Sequence, residues 1–145
     1  MGFHLLATLG PDPAIPFQAA LRKFGRDPKN FNVAQLRTVH VARNPDQAWD
    51  EAAPHLHYMM THYDQWLAEA NDAEGDKAVW KLSSHSQLRG SPLAQGLMIG
   101  TPDEVARKLE EFRAHYACTH FIMASQLPGM DRWSRPVPWN SSLKR

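Results

Sequence analysis

Ile99-Gly100-Thr101-Pro102-Asp103-Glu104-Val105-Ala106-Arg107-Lys108-Leu109, followed by Cys118-Thr119-His120-Phe121-Ile122-Met123, is the stretch on which the fold turns. Thr101 is a natural N-cap. Pro102 suits the first helical position, where its missing N–H is not needed, and Glu104 stands at N3 to complete a capping box. The helix runs from Pro102 to His115, with Val105, Leu109 and Phe112 as its buried stripe. Thr119 to Ala124 is a short β-branched and apolar run closed by Leu127-Pro128-Gly129, and it reads as a strand.

Working outward, Phe31 to Ala42 is rich in β-branched and aromatic residues and reads as a second strand. Asn44 then offers an N-cap and Pro45 suits the first helical turn, so a helix is expected from Asp46 to about Asn71. Its apolar stripe is Trp49, Ala52, Ala53, Leu56, Met59, Met60, Tyr63 and Leu67, and Pro54 is predicted to kink or split it. Upstream, Phe3 to Leu9 is a short apolar strand that ends in the turn Gly10-Pro11-Asp12-Pro13. Ala14 to Phe24 carries Ile15, Phe17, Ala20, Leu21 and Phe24 at helical spacing, with Gly25 placed to stop the helix and Arg26 to Asn30 as a polar loop. Asp72 to Gln95 reads as a long, partly irregular excursion anchored by Val79, Trp80 and Leu82, after which Leu97-Met98-Ile99 leads into the capping box. No internal repeat or low-complexity run occurs. Strands alternating with helices argue for α/β architecture with parallel strands, about three of them, flanked by helices.

Composition narrows the classes. A chain of 145 residues has the length of one domain. With 43% hydrophobic residues and 16 Lys+Arg against 15 Asp+Glu, it has the balance of a soluble globular protein. A net charge of +1 gives no footing for nucleic-acid binding, and no stretch approaches the roughly 20 apolar residues of a membrane span. Met1 to Leu6 lacks a basic region and a cleavage site, so no secretory leader is expected. The single cysteine, Cys118, fits a reducing, cytoplasmic setting.

The motifs above, taken in order, resemble the C-terminal part of the luciferase-like monooxygenases, flavin- or deazaflavin-dependent enzymes built on an eight-stranded β/α barrel. The capping-box helix and the following Cys118 to Met123 strand are similar to the family's ending. Leu36-Arg37-Thr38-Val39-His40-Val41-Ala42 with Gln47-Ala48-Trp49-Asp50-Glu51-Ala52 resembles the strand and helix before it, and Gly2-Phe3-His4 resembles the tail of an earlier strand. The resemblance covers about Gly2 to Met130. It implies a partial β/α barrel over residues 1–130, because a family barrel needs eight strands and about 250 residues. Residues 131–145, with Pro136 and Pro138 two apart, read as an irregular basic tail in place of the family's last helix. The resemblance implies a flavin-dependent oxidoreductase or monooxygenase of a small organic substrate, inactive as a truncated chain alone. FMN or a deazaflavin is the implied cofactor. The alternative is a non-catalytic barrel module that forms a homo-oligomer or binds a complementing barrel half.

In barrels the working residues sit at the C-terminal ends of the strands. With the resemblance, that singles out Thr8, Arg43 and Gln126 for the cofactor, whose ring edge needs amide and hydroxyl partners and whose phosphate needs Arg or backbone N–H groups. His40 and Ser125 at the same ends, with His4 inside the first strand, are the expected substrate-binding residues. The competing assignment makes Thr8 and Ser125 satisfiers of loop backbone, Arg43 a solvated charge and His4 an interior hydrogen-bonded histidine. No residue is singled out as catalytic. The eight histidines include no i,i+4 pair, so no metal site is expected. Arg37, mid-strand, is expected either to face a carboxylate inside the barrel or to snorkel at its bottom.

Overall fold

A computed structural model describes residues 4–7, 13–70, 84–116 and 118–130. Thr8, the turn at residues 10–12, residues 72–83 of the expected excursion and the tail 131–145 lie outside these. Four strands and three α-helices follow in the order β1 (Leu5–Ala7), α1 (Ala14–Lys23), β2 (Val33–Val41), α2 (Pro45–Glu69), β3 (Met98–Gly100), α3 (Pro102–Tyr116) and β4 (His120–Ala124). Short 3₁₀ turns occupy Pro28–Asn30, His85–Gly90 and Pro92–Gly96. All strand pairs are parallel and all involve β2. Ala34 and Gln35 pair with β1 and with β4 at once, so β2 is a central strand there, while its last residues, Val39 to Val41, pair with β3. The chain is thus α/β, a parallel sheet with flanking helices, as a portion of a β/α barrel would be.

The expected helix ends form by the expected chemistry. Thr101 N–H donates to Glu104 Oε2 at 2.9 Å and Glu104 N–H donates to Thr101 Oγ1 at 3.3 Å, a reciprocal capping box. Asn44 Oδ1 accepts from Gln47 N–H at 2.8 Å. Gly25, at φ +66°, closes α1: Arg26 N–H reaches the Leu21 carbonyl and Gly25 N–H the Arg22 carbonyl, the two bonds of a Schellman motif. Pro54 leaves α2 a single helix of 25 residues and does not split it. The third strand is longer in pairing than the sequence suggests: Met98 to Gly100 joins the sheet, where the sequence marks only a lead-in.

Alternation separates the two faces of the sheet. Gln35, Arg37 and Phe121 share the face that α3 covers, with Phe112 of α3 touching the Phe121 ring at 6.2 Å between centroids. Arg37, 3% exposed, lies on that face with its guanidinium 4.7 Å from the Phe112 ring centre, and its Nη1 donates to the Leu36 carbonyl at 2.8 Å. It does not snorkel, since an aromatic ring and a carbonyl receive it in the interior. The opposite face carries Leu6, Ala34, Leu36, His40 and Ile122. Among the described residues, α2 covers its C-terminal end.

The main core sits at that end. Ala42, Trp49, Ala52, Ala53, Leu56, Met60, Leu88, Leu97, Ile99 and Leu127 form one buried cluster between α2, the 3₁₀ turns and β3. The expected α2 stripe is buried up to Met60 except for half-buried Met59, beyond it Tyr63 is 48% exposed, and the Leu67 side chain lies outside what is described. The α1 stripe is corrected more strongly: none of its residues is fully buried, Phe17 and Leu21 are half-buried, and Ile15 and Phe24 stand out at 55% and 77% exposure. The one buried residue of the helix is Ala14, outside the stripe. In α3, Val105 is buried and Leu109 and Phe112 are half-buried.

Candidate functional site

Parallel pairing of β2 with β4 ends at Thr38 and Ala124, so Ser125 and Gln126 leave the sheet level with Val39 and His40. The C-terminal ends of these two strands therefore bring His40, Arg43, Ser125 and Gln126 to one end of the sheet. Arg43, Ser125 and Gln126 are exposed. Thr8 lies outside the described residues. His4 does not join this group. It precedes β1 at the opposite end of the sheet, where its Nδ1 accepts from Asn32 N–H at 2.9 Å.

His40 is the most organised of the set. Its Nε2 lies 2.8 Å from Glu51 Oε2, and Gln47 Nε2 donates to Glu51 Oε1 at 2.7 Å. Gln47 and Glu51 are one turn apart on α2, and the start of that helix is fixed by the Asn44 cap. A chain of contacts thus runs from cap to helix to imidazole. Burial works to raise the Glu51 pKa, but the hydrogen bonds from His40 and Gln47, with the His40 charge, outweigh it and hold the carboxyl below its ordinary range. A carboxylate can only accept, so Nε2 carries a proton toward Glu51 and the contact fixes the orientation of the imidazole. His55, also on α2, binds the Pro128 carbonyl through Nδ1 at 2.9 Å and ties the helix to the loop after β4. That loop is a turn with Met130 N–H bonded to the Leu127 carbonyl, Pro128 at its second position and Gly129 at φ +76° at its third, as a type II turn requires.

Glu51, Gln47 and His55 are absent from the sequence-based set. The Gln47–Glu51 spacing was a signal of a helical pair, but its meeting with His40 depends on how α2 folds back, which spacing does not encode. Among the described residues no three His, Cys, Asp or Glu side chains converge as metal ligands. Cys118 is buried and its Sγ–H donates to the His120 carbonyl at 2.9 Å.

The sequence profile of the luciferase-like monooxygenases matches residues 15–118. The chain belongs to this family. The match takes in β2, α2, β3 and α3 of the luciferase-like unit, hence His40, Arg43 and Glu51, and stops before Ser125 and Gln126. Among solved structures, the monooxygenase RslO1 from Streptomyces bottropensis is similar at 15% identity and a TM-score of 0.47, over 83% of this chain and 33% of that one. The chain therefore spans about a third of the length of that protein. No curated protein matches it. No helix among the described residues is long and apolar enough to cross a membrane.

Proposed function

We propose that the C-terminal end of the sheet serves a flavin- or deazaflavin-dependent oxidation of a small organic substrate. The observation that carries this reading is the convergence of His40, Arg43, Ser125 and Gln126 at the ends of two paired parallel strands in a luciferase-like chain. The donor set fits the polar parts of such a cofactor. Arg43 is a permanent cation suited to a phosphate, and the Gln126 amide offers both a donor and an acceptor to a ring edge, while none of the described residues bonds to either side chain. Thr8, the third residue of the expected cofactor set, lies outside the described residues. When bound, the reduced flavin or deazaflavin supplies the redox chemistry. His40, held on Glu51, presents Nδ1 to a substrate hydroxyl or proton, and the Ser125 hydroxyl orients the same substrate. The lone, buried thiol of Cys118 suits a reducing, cytoplasmic setting.

Near-ultraviolet circular dichroism during thermal unfolding tests this reading, with FMN and, separately, a deazaflavin in excess. Ligand at about 100 times its dissociation constant adds roughly 2.7 kcal/mol of stability. Arg43→Ala and Gln126→Ala are expected to reduce that gain. A cooperative transition indifferent to both cofactors would overturn it.

A second reading rests on a different observation. Leu6 and Ile122, 54% and 46% exposed, lie on the sheet face that neither α1 nor α3 covers, beside the half-buried Leu36. An apolar sheet face of this kind is a docking surface for further β/α units, whether a complementing barrel portion or a second copy. Sedimentation of the purified chain decides it, since a clean monomer at tens of micromolar concentration removes the self-associating form.

A further inference from the structure

A second concave site lies on the other side of α2. Trp49 is roughly 200° round the helix from Glu51, at 100° per residue, so it points away from the His40 contact. There a cleft of about 460 Å³ opens between the start of α2, the 3₁₀ turns, β3 and α3. This is the size range of small-molecule sites, roughly 300–1,000 Å³. Trp49, 8% exposed, gives it an apolar wall, Ser91 and Gln95 a polar rim, and Arg89 and Lys108 two cations.

The two cations are incompletely neutralised. Arg89 meets Asp46 through Nη1 alone, at 2.6 Å, and the Asp46 side chain is 80% exposed, so water screens the pair. Lys108 Nζ donates one bond, to the Ile99 carbonyl at 3.0 Å, which leaves two of its three protons. Glu104 also lines the cleft, its Oε2 accepting from the N–H and hydroxyl of Thr101, and its single charge is set against the two cations. Burial, opposed by Glu104 and Glu111 and reinforced by the charges of Arg107 and Arg89, holds the Lys108 pKa below its ordinary value. Arg89 and Lys108 line the same cleft, so an anion held there meets both cations.

We infer that this cleft binds a small organic oxyanion, a carboxylate or phosphate carried on an apolar ring, with the oxyanion between Arg89 and Lys108 and the ring against Trp49. The inference does not depend on the cofactor reading, because no residue of the strand-end group lines the cleft.

The test uses the whole chain labelled with nitrogen-15, following the indole N–H signal of Trp49, assigned by its loss in Trp49→Phe. Benzoate and phenyl phosphate are the probes, with benzamide as the neutral control. Saturable movement of the Trp49 signal by either anion and not by benzamide supports the site, and the tighter of the two anions identifies the headgroup. Arg89→Gln and Lys108→Met are each expected to weaken binding about tenfold or more while leaving the near-ultraviolet spectrum unchanged. Equal movement by benzamide, no saturation by either anion, or unchanged affinity in both variants would overturn the inference.

Discussion

The two ends of β2 live in different surroundings. At the C-terminal end, His40 to Ala42 are roofed by α2 and flanked by β3, and Leu56, Met60, Leu97 and Ile99 are all but sealed from water. At the N-terminal end, the same strand is paired on both edges and covered on the α3 face, while the other face presents Leu6 and Ile122 to solvent. The proposed chemistry sits at the sealed end. A side chain such as His40 keeps its geometry only where its neighbours are themselves fixed by packing.

This contrast can be broken or sharpened by substitution. The largest effect is expected for Leu56→Ala in the sealed cluster. The lost transfer free energy and the cavity left behind should cost about 2–5 kcal/mol in chemical denaturation. A cost below 1 kcal/mol would mean that the cluster is loosely packed. Next comes Gly100→Ala, where the backbone sits at φ +153° and an added Cβ would lie 2.6 Å from Glu104 Oε2. Strain and loss of the capping box should together cost about 1–3 kcal/mol, read as a lowered melting temperature.

A smaller effect concerns acid. Glu51 is held below its ordinary value of 4.5, so its contribution is fully present above the unfolded value and is lost as pH falls through the lowered folded one. Glu104 acts in the same direction: the Thr101 N–H, opposed by desolvation and aided by the Thr101 hydroxyl and two nearby cations, holds its carboxyl low. Melting temperature should therefore fall as the medium is taken below pH 4.5, and Glu51→Gln should make that fall shallower. An unchanged slope in the variant would detach Glu51 from His40. The smallest effect is expected for Leu6→Ser on the bare face, within about 0.5 kcal/mol, as at other surface positions. A loss comparable to that of Leu56→Ala would show the face to be covered in solution.

Legibility in the sequence followed the locality of the physics. The caps at Asn44 and Thr101, the stop at Gly25 and the turn at Pro128-Gly129 were readable because each is settled within four or five residues. The strand ends were readable as well, and with them the gathering of His40, Arg43, Ser125 and Gln126. Met98 to Gly100 was not legible as a strand, because three residues buried on every side show no alternation. The α1 stripe misled for a different reason. Periodicity reports that a face is apolar, not that anything covers it, and Ile15 and Phe24 are largely uncovered. Glu51 was invisible as a partner of His40 because the contact is made by a helix returning over its own strand.

The register of β2 with β4 has a consequence for synthesis. Val33 and Thr119 meet through bonds of 2.9 Å across 86 positions of chain, whereas Asn32 and His4 are joined across 28. Contacts between distant segments form late, since a large loop must close before they gain anything. At about 5–20 residues per second, a ribosome takes roughly 4–17 s to make the chain between the two partners. Throughout that interval one edge of β2 emerges with its amides unanswered, a template for any passing strand. The fourth strand therefore acts late as a guard on that edge, and this chain's yield in cells should depend on chaperone supply more than its size suggests.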